Sequence, residues 1–176
     1  GRLDTKDYPH VRSHVQYLAR KDYLACSFDP PGTWESPDGI ELYTMTNYLQ
    51  AINELITLFG NKPNVLMGHS RGGSMAMLAG TRSNYVTHII AAMASPWPSI
   101  MSERVKRQGY EISYRDTPSG GRKKFVLPLT YFLDAAKYNA LGALAKCTKP
   151  KLFILGTKDD IVTPASVRDT YQKSAQ

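Results

Sequence analysis

One short stretch of the chain combines the residue types that nucleophilic catalysis requires. It reads Gly68-His69-Ser70-Arg71-Gly72, and it stands between the apolar run 65–67 and the small, apolar run 75–79. This order predicts a strand, a very tight turn and a helix, with Ser70 strained at the apex of the turn. Gly68 and Gly72 carry no side chains, so the strand and the helix can approach each other closely there. A serine hydroxyl exposed beside a helix N-terminus suits attack on an electrophile.

The pattern Gly-x-Ser-x-Gly is short enough to occur by chance, and a plain Gly/Ser turn is the alternative interpretation. The residues on either side favour the catalytic interpretation. An apolar strand that ends at Gly68 and a helix that begins at Arg71 are the surroundings that such a nucleophile needs.

A second chemically useful group follows a later apolar run. The run 151–156 predicts a strand, and the carboxylates of Asp159 and Asp160 come directly after it. Thr163 and Pro164 then fit the N-cap and first position of a last helix. Ligands and catalytic groups of open α/β sheets gather at the C-terminal ends of the strands, which makes a carboxylate there a candidate. The alternative is an ordinary turn carboxylate near a helix start.

Composition and charge are those of a globular protein. The chain has 176 residues, 42% hydrophobic and 21% charged, a length that fits a single domain. Its longest apolar run, 89–94, is far too short to span a membrane. The net charge of +7 accompanies neither a basic arm nor a nucleic-acid-binding motif. We therefore expect neither a membrane span nor a nucleic-acid partner, and the sequence leaves the oligomeric state open.

The cysteines and histidines form no metal-binding pattern. Cys26 and Cys147 fit neither a ligand set nor a disulfide framework, and each lies in or beside an apolar run. We expect two buried, reduced thiols, which favours a cytoplasmic protein. His10 and His14 share a helix face but lack a third ligand, so we expect exposed helix residues. His88 is expected to be a packed or edge residue.

Hydrophobic periodicity predicts the elements that position these groups. Helices are predicted from Pro9, over 42–59, from Arg71 and over 164–173, and apolar runs predict strands at 23–28, 64–69, 85–94 and 151–156. Helices that alternate with near-continuous apolar strands are typical of an α/β fold, with a mostly parallel sheet and helices on both faces.

The alternation breaks at residues 97–148. Between residues 103 and 124, seven basic residues stand against three acidic ones. So long an excursion between two strands is typical of a functional lid, and a basic lid suits an acyl group that carries an acid. The alternative is a solvated surface insertion. We therefore divide the chain into a core, 1–96 and 149–176, and a lid, 97–148.

Three segments in the right order resemble the α/β-hydrolase superfamily. They are Gly68-His69-Ser70-Arg71-Gly72, Asp29-Pro30-Pro31-Gly32 after the preceding predicted strand, and Gly156-Thr157-Lys158-Asp159-Asp160-Ile161-Val162-Thr163-Pro164. The resemblance covers nearly the whole chain. The region 104–139 looks like the cap of small esterases and serine aminopeptidase-like hydrolases.

This resemblance implies a serine hydrolase that acts on a small-molecule carboxylic ester or related acyl bond. It makes Ser70 the nucleophile, the backbone N–H of Arg71 one oxyanion donor, and Asp159 the triad acid, with Asp160 as the neighbouring alternative. It requires no metal and no organic cofactor. Peptidase, thioesterase and acyltransferase chemistry also occur on this scaffold, and the fold does not choose among them.

Two parts of the family pattern are missing from the sequence. The triad histidine should follow Asp159, but no histidine follows His88, and the loop with the second oxyanion donor should precede residue 1. In the sheet of this family, the third strand lies between those at 23–28 and 64–69, and its loss would leave a gap in the middle of the sheet. We therefore expect an internal segment of a longer hydrolase that is inactive alone, because Ser70 lacks its base. The alternative is a noncatalytic protein of this fold that binds a ligand or partner.

Overall fold

The computed structural model describes residues 1–97 and 101–175. Within them the helices are α1 (Pro9–Ala19), α2 (Met45–Leu58), α3 (Arg71–Arg82), α4 (Glu103–Gln108), α5 (Leu129–Ala135), α6 (Leu141–Leu144) and α7 (Pro164–Lys173), with a short 3₁₀ helix at Ile40–Leu42. The strands are β1 (Asn64–His69), β2 (Val86–Ala92), β3 (Tyr110–Asp116), β4 (Arg122–Pro128) and β5 (Lys151–Ile154). The helix predicted over 164–173 is confirmed at both ends, with Thr163 as its N-cap.

Three strands form a parallel sheet in the order β1-β2-β5. Strand β2 lies in the middle, with Leu66 opposite Ile89 on one side and Phe153 opposite Ala91 on the other. The connections between these strands run through α3 and through the insertion that contains β3 and β4. The predicted α/β fold class, with a mostly parallel sheet, is confirmed.

The main core lies on one face of this sheet. Helix α3 packs directly on β1 and β2, α2 and α6 pack on α3, and α7 packs on β5. Met75 and Met77 of α3 are fully buried, together with Ile89 and Ala91 of β2. On the opposite face, large apolar side chains of the two edge strands stay exposed within the described residues: Val65, Met67, Leu152 and Ile154.

The strand predicted at 23–28 is absent. This segment has no regular secondary structure and pairs with no described strand, and Tyr23 and Leu24 are 67% and 82% exposed. A segment becomes a strand only when a neighbouring strand supplies hydrogen bonds. Residues 23–28 have no such neighbour among the described strands, and β1, which pairs only with β2 there, keeps its other edge open. The prediction that both thiols are buried is wrong for the same reason, since Cys26 in this segment is exposed while Cys147 is buried.

The insertion has a core of its own. Strands β3 and β4 form an antiparallel hairpin, whose inner face contributes Phe125 and Leu127. These side chains pack with others from α4, α5 and the first 43 residues, namely Leu3, Tyr43, Val105, Tyr131 and Phe132. Residues 98–100 of the predicted lid, 97–148, lie outside the described residues.

Among the helices that the structure describes, none is long and apolar enough for a transmembrane span. His10 and His14 of α1 are exposed, as expected. The prediction that His88 is a packed or edge residue is wrong, because it lies on the central strand β2 with its side chain on the exposed face, opposite Val65.

Candidate functional site

The turn between β1 and α3 holds Ser70 in a rare backbone conformation. Its φ is +51° and its ψ is −115°, outside the regions that side-chain-bearing residues prefer. The surroundings hold it there, because the Ser70 N–H donates to the Ala92 carbonyl at 2.8 Å and its own carbonyl accepts from the Ser74 N–H at 3.0 Å. The half-buried Ser70 side chain makes no hydrogen bond to any described residue. A strained backbone that its surroundings hold in place, with a hydroxyl that makes no hydrogen bond to the described residues, is typical of a functional site.

The glycines of this turn differ in what they permit. A Cβ on Gly68 would stand 2.1 Å from the backbone of Gly72, and one on Gly73 would stand 2.4 Å from the Ala94 side chain. A Cβ on Gly72 would meet only the Tyr48 hydroxyl, at 3.8 Å, which is an ordinary contact. Gly68 and Gly73 therefore allow the close crossing of β1 and α3, whereas Gly72 contributes through its backbone. Sequence reasoning missed Gly73.

The N-terminus of α3 points at the same place. The first N–H groups of a helix have no partner within it, so those of Arg71 and Gly72 lie beside Ser70 with the positive end of the helix dipole. The Arg71 side chain is turned inward and buried, 3.6 Å from the Met45 sulfur and 5.9 Å from the ring centre of Tyr131.

The turn after β5 fixes the orientation of Asp159. Its Oδ1 accepts the N–H groups of Ile161 and Val162, each at 2.9 Å, and its own N–H donates to Gly156 at 3.2 Å. Asp159 is half-buried, while Asp160 is exposed. Of the two neighbouring carboxylates, Asp159 is the one held in place, and its Oδ2 makes no hydrogen bond to a described residue.

Ser70 and Asp159 follow the C-terminal ends of two parallel strands of one sheet. One strand, β2, separates these two strands, so they are about 10 Å apart. Between them, Met93 also has a positive φ, +44°, and its N–H donates to Ile154 of β5. The structure therefore brings the two predicted residues to the same edge of the sheet.

None of the four histidines of the chain hydrogen-bonds to Ser70 or Asp159 within the described residues. His69 turns to Asp4, with Nδ1 3.6 Å from the carboxylate. His88 lies four residues before the end of β2, about 13 Å from the strand ends that carry the site. His10 and His14 lie on α1.

A loop that sequence reasoning missed lies against the turn between β1 and α3 that holds Ser70. It comprises Gly1 to Asp4, and a Cβ on Gly1 would stand 3.4 Å from His69 Nδ1. Its third residue, Leu3, is fully buried with a φ of +62°. Only contacts between residues distant in sequence reveal this loop, so no local motif could have found it.

Burial and neighbouring polar groups shift the pKa values of the titratable side chains around this loop. Burial opposes ionisation of Asp4, but its hydrogen bonds with His69 and the Gly1 amino group outweigh burial and lower its pKa. Burial raises the pKa of Tyr43 and of Tyr48, whose hydroxyls lie near the loop and Arg71. At neutral pH the turn therefore faces one carboxylate and two neutral phenols.

The cations of the insertion point in two directions. Lys123 lies on the inner face of the hairpin, where its amine donates to the Trp34 carbonyl at 3.2 Å and lies 5.2 Å from the Trp34 ring centre. Lys124 is exposed on the outer face. The basic residues that lie close together in the sequence of the insertion therefore do not form a single basic surface.

One acidic cluster has metal-like spacing, formed by Asp7, Asp29 and Glu35, whose oxygens lie within 4.8 Å of one another. The Lys6 amine contacts Asp7 at 2.6 Å and Glu35 at 2.8 Å, and Asp29 accepts the Lys6 N–H. Because Lys6 already compensates these charges, the cluster is an ion-pair network.

Comparisons with known proteins agree with the observed fold. The family model described as alpha/beta hydrolase fold matches residues 1–115. No protein of curated function has a sequence that matches the chain significantly.

Three solved structures share the fold at low sequence identity. Est1E of Butyrivibrio proteoclasticus, solved with ferulic acid bound, superposes with a TM-score of 0.74 and 16% identity over 99% of this chain and 73% of its own. A monoacylglycerol lipase of Paleococcus ferrophilus gives 0.72 and 17%, over 97% of this chain and 77% of its own. The hydrolase GrgF of a Penicillium species gives 0.74 and 13%, over 100% of this chain and 75% of its own.

Proposed function

The chain belongs to the α/β-hydrolase fold family, and on that premise we propose that it is a serine hydrolase that cleaves a carboxylic ester or a related acyl bond. The observation that carries this proposal is Ser70. It has a strained backbone and an uncommitted hydroxyl at a helix N-terminus, on the same sheet edge as the fixed carboxylate of Asp159.

In the proposed reaction, the Ser70 hydroxyl attacks the acyl carbon. A histidine outside residues 1–176 takes its proton and later returns it to the leaving group. Asp159 uses Oδ1 to accept two backbone N–H groups, which leaves Oδ2 for this histidine. Its charge would hold the ring in the required tautomer and stabilise the protonated form. Water then cleaves the acyl-enzyme by the same route.

Two backbone N–H groups are proposed to stabilise the oxyanion. The first belongs to Arg71, at the start of α3. The second belongs to Arg2, whose N–H makes no hydrogen bond to a described residue and whose loop lies against His69. This places the second donor inside the chain rather than before residue 1. A donor of this kind typically contributes about 3 kcal/mol to the transition state.

The substrate is proposed to be a small-molecule ester bound under the insertion, residues 97–148, which we propose as the lid over a core of 1–96 and 149–176. The names of two similar structures support an ester substrate, one a lipase of monoacylglycerols and one a complex with ferulic acid. The mechanism requires neither a metal nor an organic cofactor, because a serine, a histidine and backbone N–H groups supply all of its chemistry.

Labelling of the full-length protein with a fluorophosphonate tests this proposal. We expect covalent labelling, together with hydrolysis of p-nitrophenyl esters, and loss of both in Ser70→Ala. The expected loss of hydrolysis is at least about 10⁴-fold. Ser13→Ala, at an exposed position of α1, is the matched control and should react like the wild type. Labelling that persists in Ser70→Ala would show that another residue is the nucleophile.

A noncatalytic binding protein is the second candidate, favoured by the absence of a histidine contact to Asp159 within the described residues. It predicts that the full-length protein resists the fluorophosphonate while binding an ester or acid ligand. Labelling at Ser70 excludes this candidate.

A further inference from the structure

The peptide group between Arg2 and Leu3 is held at both of its polar ends. The Arg2 carbonyl accepts two hydrogen bonds from the Arg115 guanidinium, from Nε at 3.0 Å and from Nη2 at 2.8 Å. The Leu3 N–H donates to the Tyr43 hydroxyl at 3.3 Å. The next carbonyl, that of Leu3, accepts from the Trp34 indole at 2.9 Å. A loop without regular structure is thus fixed by three side chains from three segments.

This fixation opposes a backbone strain. Leu3 has a φ of +62°, in the left-handed region that residues with a side chain rarely adopt. Its side chain is fully buried, so the residue cannot relax without leaving the core of the insertion. A strained residue persists only where its surroundings over-determine it. Here the surroundings are Arg115, Tyr43 and Trp34.

Arg115 binds this loop from the insertion. It lies on the inner face of β3, opposite Lys123 in the hairpin register. On the same face of β3, Glu111 pairs with the Arg2 side chain at 2.5 Å. Arg115 also lies 3.8 Å from the Asp4 carboxylate, which in turn faces His69. A chain of contacts therefore runs from the hairpin, through the loop, to the residue next to Ser70.

We propose that Arg115 is a positioning residue of the acyl-transfer site: by holding the Arg2 carbonyl, it fixes the Arg2–Leu3 peptide and so keeps the neighbouring Arg2 N–H oriented toward the oxyanion. This inference rests on the proposed function. It assigns the hairpin a part in the chemical step, beyond covering the substrate. Two donors on one carbonyl fix a plane as well as a distance, which a lysine at this position could not do.

Kinetics of three variants of the full-length protein test the proposal. Arg115→Ala should lower kcat for a p-nitrophenyl ester about 10- to 100-fold with little change in KM, because misplaced donors weaken the transition state more than the bound ester. The rate of fluorophosphonate labelling should fall in proportion. Arg115→Lys should give an intermediate kcat. Arg122→Ala is the matched control, since the polar and ring contacts of this exposed arginine of the same hairpin, within the described part of the chain, are with Asp116, at 3.9 Å, and the Tyr114 ring.

A double-mutant cycle separates positioning from general stability. Tyr43→Phe removes the other support of the same peptide, so its effect on kcat should be strongly non-additive with that of Arg115→Ala, although each side chain binds a different atom of that peptide. Additive effects would overturn the proposal, and so would an Arg115→Ala variant that changes KM alone or changes nothing. If Arg115→Ala does not fold, the Arg115→Lys variant and its cycle with Tyr43→Phe decide in the same way. Failure of the wild type to react at Ser70 would instead contradict the proposed function.

Discussion

At the scale of single residues, the site depends on where side chains are missing as much as on where they are present. Ser70 keeps its φ of +51° because β1 and α3 cross almost in contact. That crossing exists because Gly68 has no Cβ to meet the backbone of Gly72 at 2.1 Å. Placement of the hydroxyl is therefore a consequence of packing at a neighbouring position.

Gly68→Ala is expected to lower the free energy of unfolding by about 3 kcal/mol, since the new methyl group meets backbone that cannot move without displacing α3. Gly72→Ala should be neutral or stabilise by up to about 1 kcal/mol, because its nearest neighbour would be 3.8 Å away. Gly142→Ala in α6, with open space around it, is the control. Urea unfolding followed by circular dichroism measures all three. Equal effects at 68 and 142 would show that the turn accommodates a side chain.

The sequence predicted those site residues that a short local pattern marks. Ser70 and Asp159 each follow an apolar run and precede a helix start, and both of those signals are local. Leu3 and Arg115 could not be found this way, because their roles depend on contacts across more than 100 positions of the chain. The same limit explains why Gly73, which packs on Ala94, was missed.

At the scale of elements, the insertion is joined to the core through the start of α2. Asp134 of α5 is buried and accepts two hydrogen bonds from Thr46, from the N–H at 2.9 Å and from Oγ1 at 2.7 Å. It therefore satisfies a first-turn N–H of α2 that has no partner within the helix. Thr44, the N-cap, satisfies the N–H of Asn47 in the same turn.

Asp134→Ala is expected to lower the free energy of unfolding at pH 7 by about 2 kcal/mol, through loss of a buried acceptor for Thr46. Burial raises the pKa of Asp134, but the Thr46 hydrogen bonds and the Lys137 ammonium outweigh burial, so the pKa is lowered on folding. The contribution is therefore complete above the unfolded-state value of about 3.9 and is lost as the pH falls below it. Urea unfolding at pH 7 and pH 3 should show this difference shrink.

Asp169→Ala is the control for this substitution, because Asp169 pairs with Lys173 on the partly exposed side of α7. Its effect should be below about 0.5 kcal/mol at both pH values. A difference between wild type and Asp134→Ala that stays constant from pH 7 to pH 3 would contradict the assignment of a charged cap.

Helices were predicted better than strands for a physical reason. A helix satisfies its own hydrogen bonds, so periodicity and end signals predicted the bounds of α7 and approximated those of α2. A strand needs a neighbour, and the apolar run at 23–28 has none within the described residues. Similarly, the cluster of basic residues predicted that the insertion is positively charged but not which way each side chain points. The strand register decides that Lys123 faces inward and Lys124 outward.

At the scale of the whole molecule, one face of the parallel sheet exposes large apolar side chains among the described residues. Strands β1 and β5 are both edges, and each exposes two large apolar side chains on that face: Val65 and Met67 of β1, and Leu152 and Ile154 of β5. Open edges and contiguous apolar patches promote association. The covered face, by contrast, is close-packed against α3.

The isolated 176-residue polypeptide is therefore expected to bind the dye ANS and to self-associate at micromolar concentration. Met67→Lys combined with Leu152→Lys should reduce both dye binding and light scattering, because two charges interrupt the patch. Leu58→Lys is the control, since Leu58 is 75% exposed at the end of α2, away from this face. A polypeptide that stays monomeric and does not bind the dye would show that this face of the sheet is covered in solution.

The shared core of the insertion limits how this molecule can be engineered. Leu3 and Tyr43, from the start of the chain, pack in one cluster with Phe125 and Leu127 of the hairpin. A foreign insertion grafted between residues 97 and 148 would remove five of the seven buried side chains of that cluster and would leave the strained loop at Leu3 without Arg115. Exchange of this insertion for that of another protein would therefore succeed only if Leu3 and Tyr43 were also redesigned to pack against the incoming hairpin.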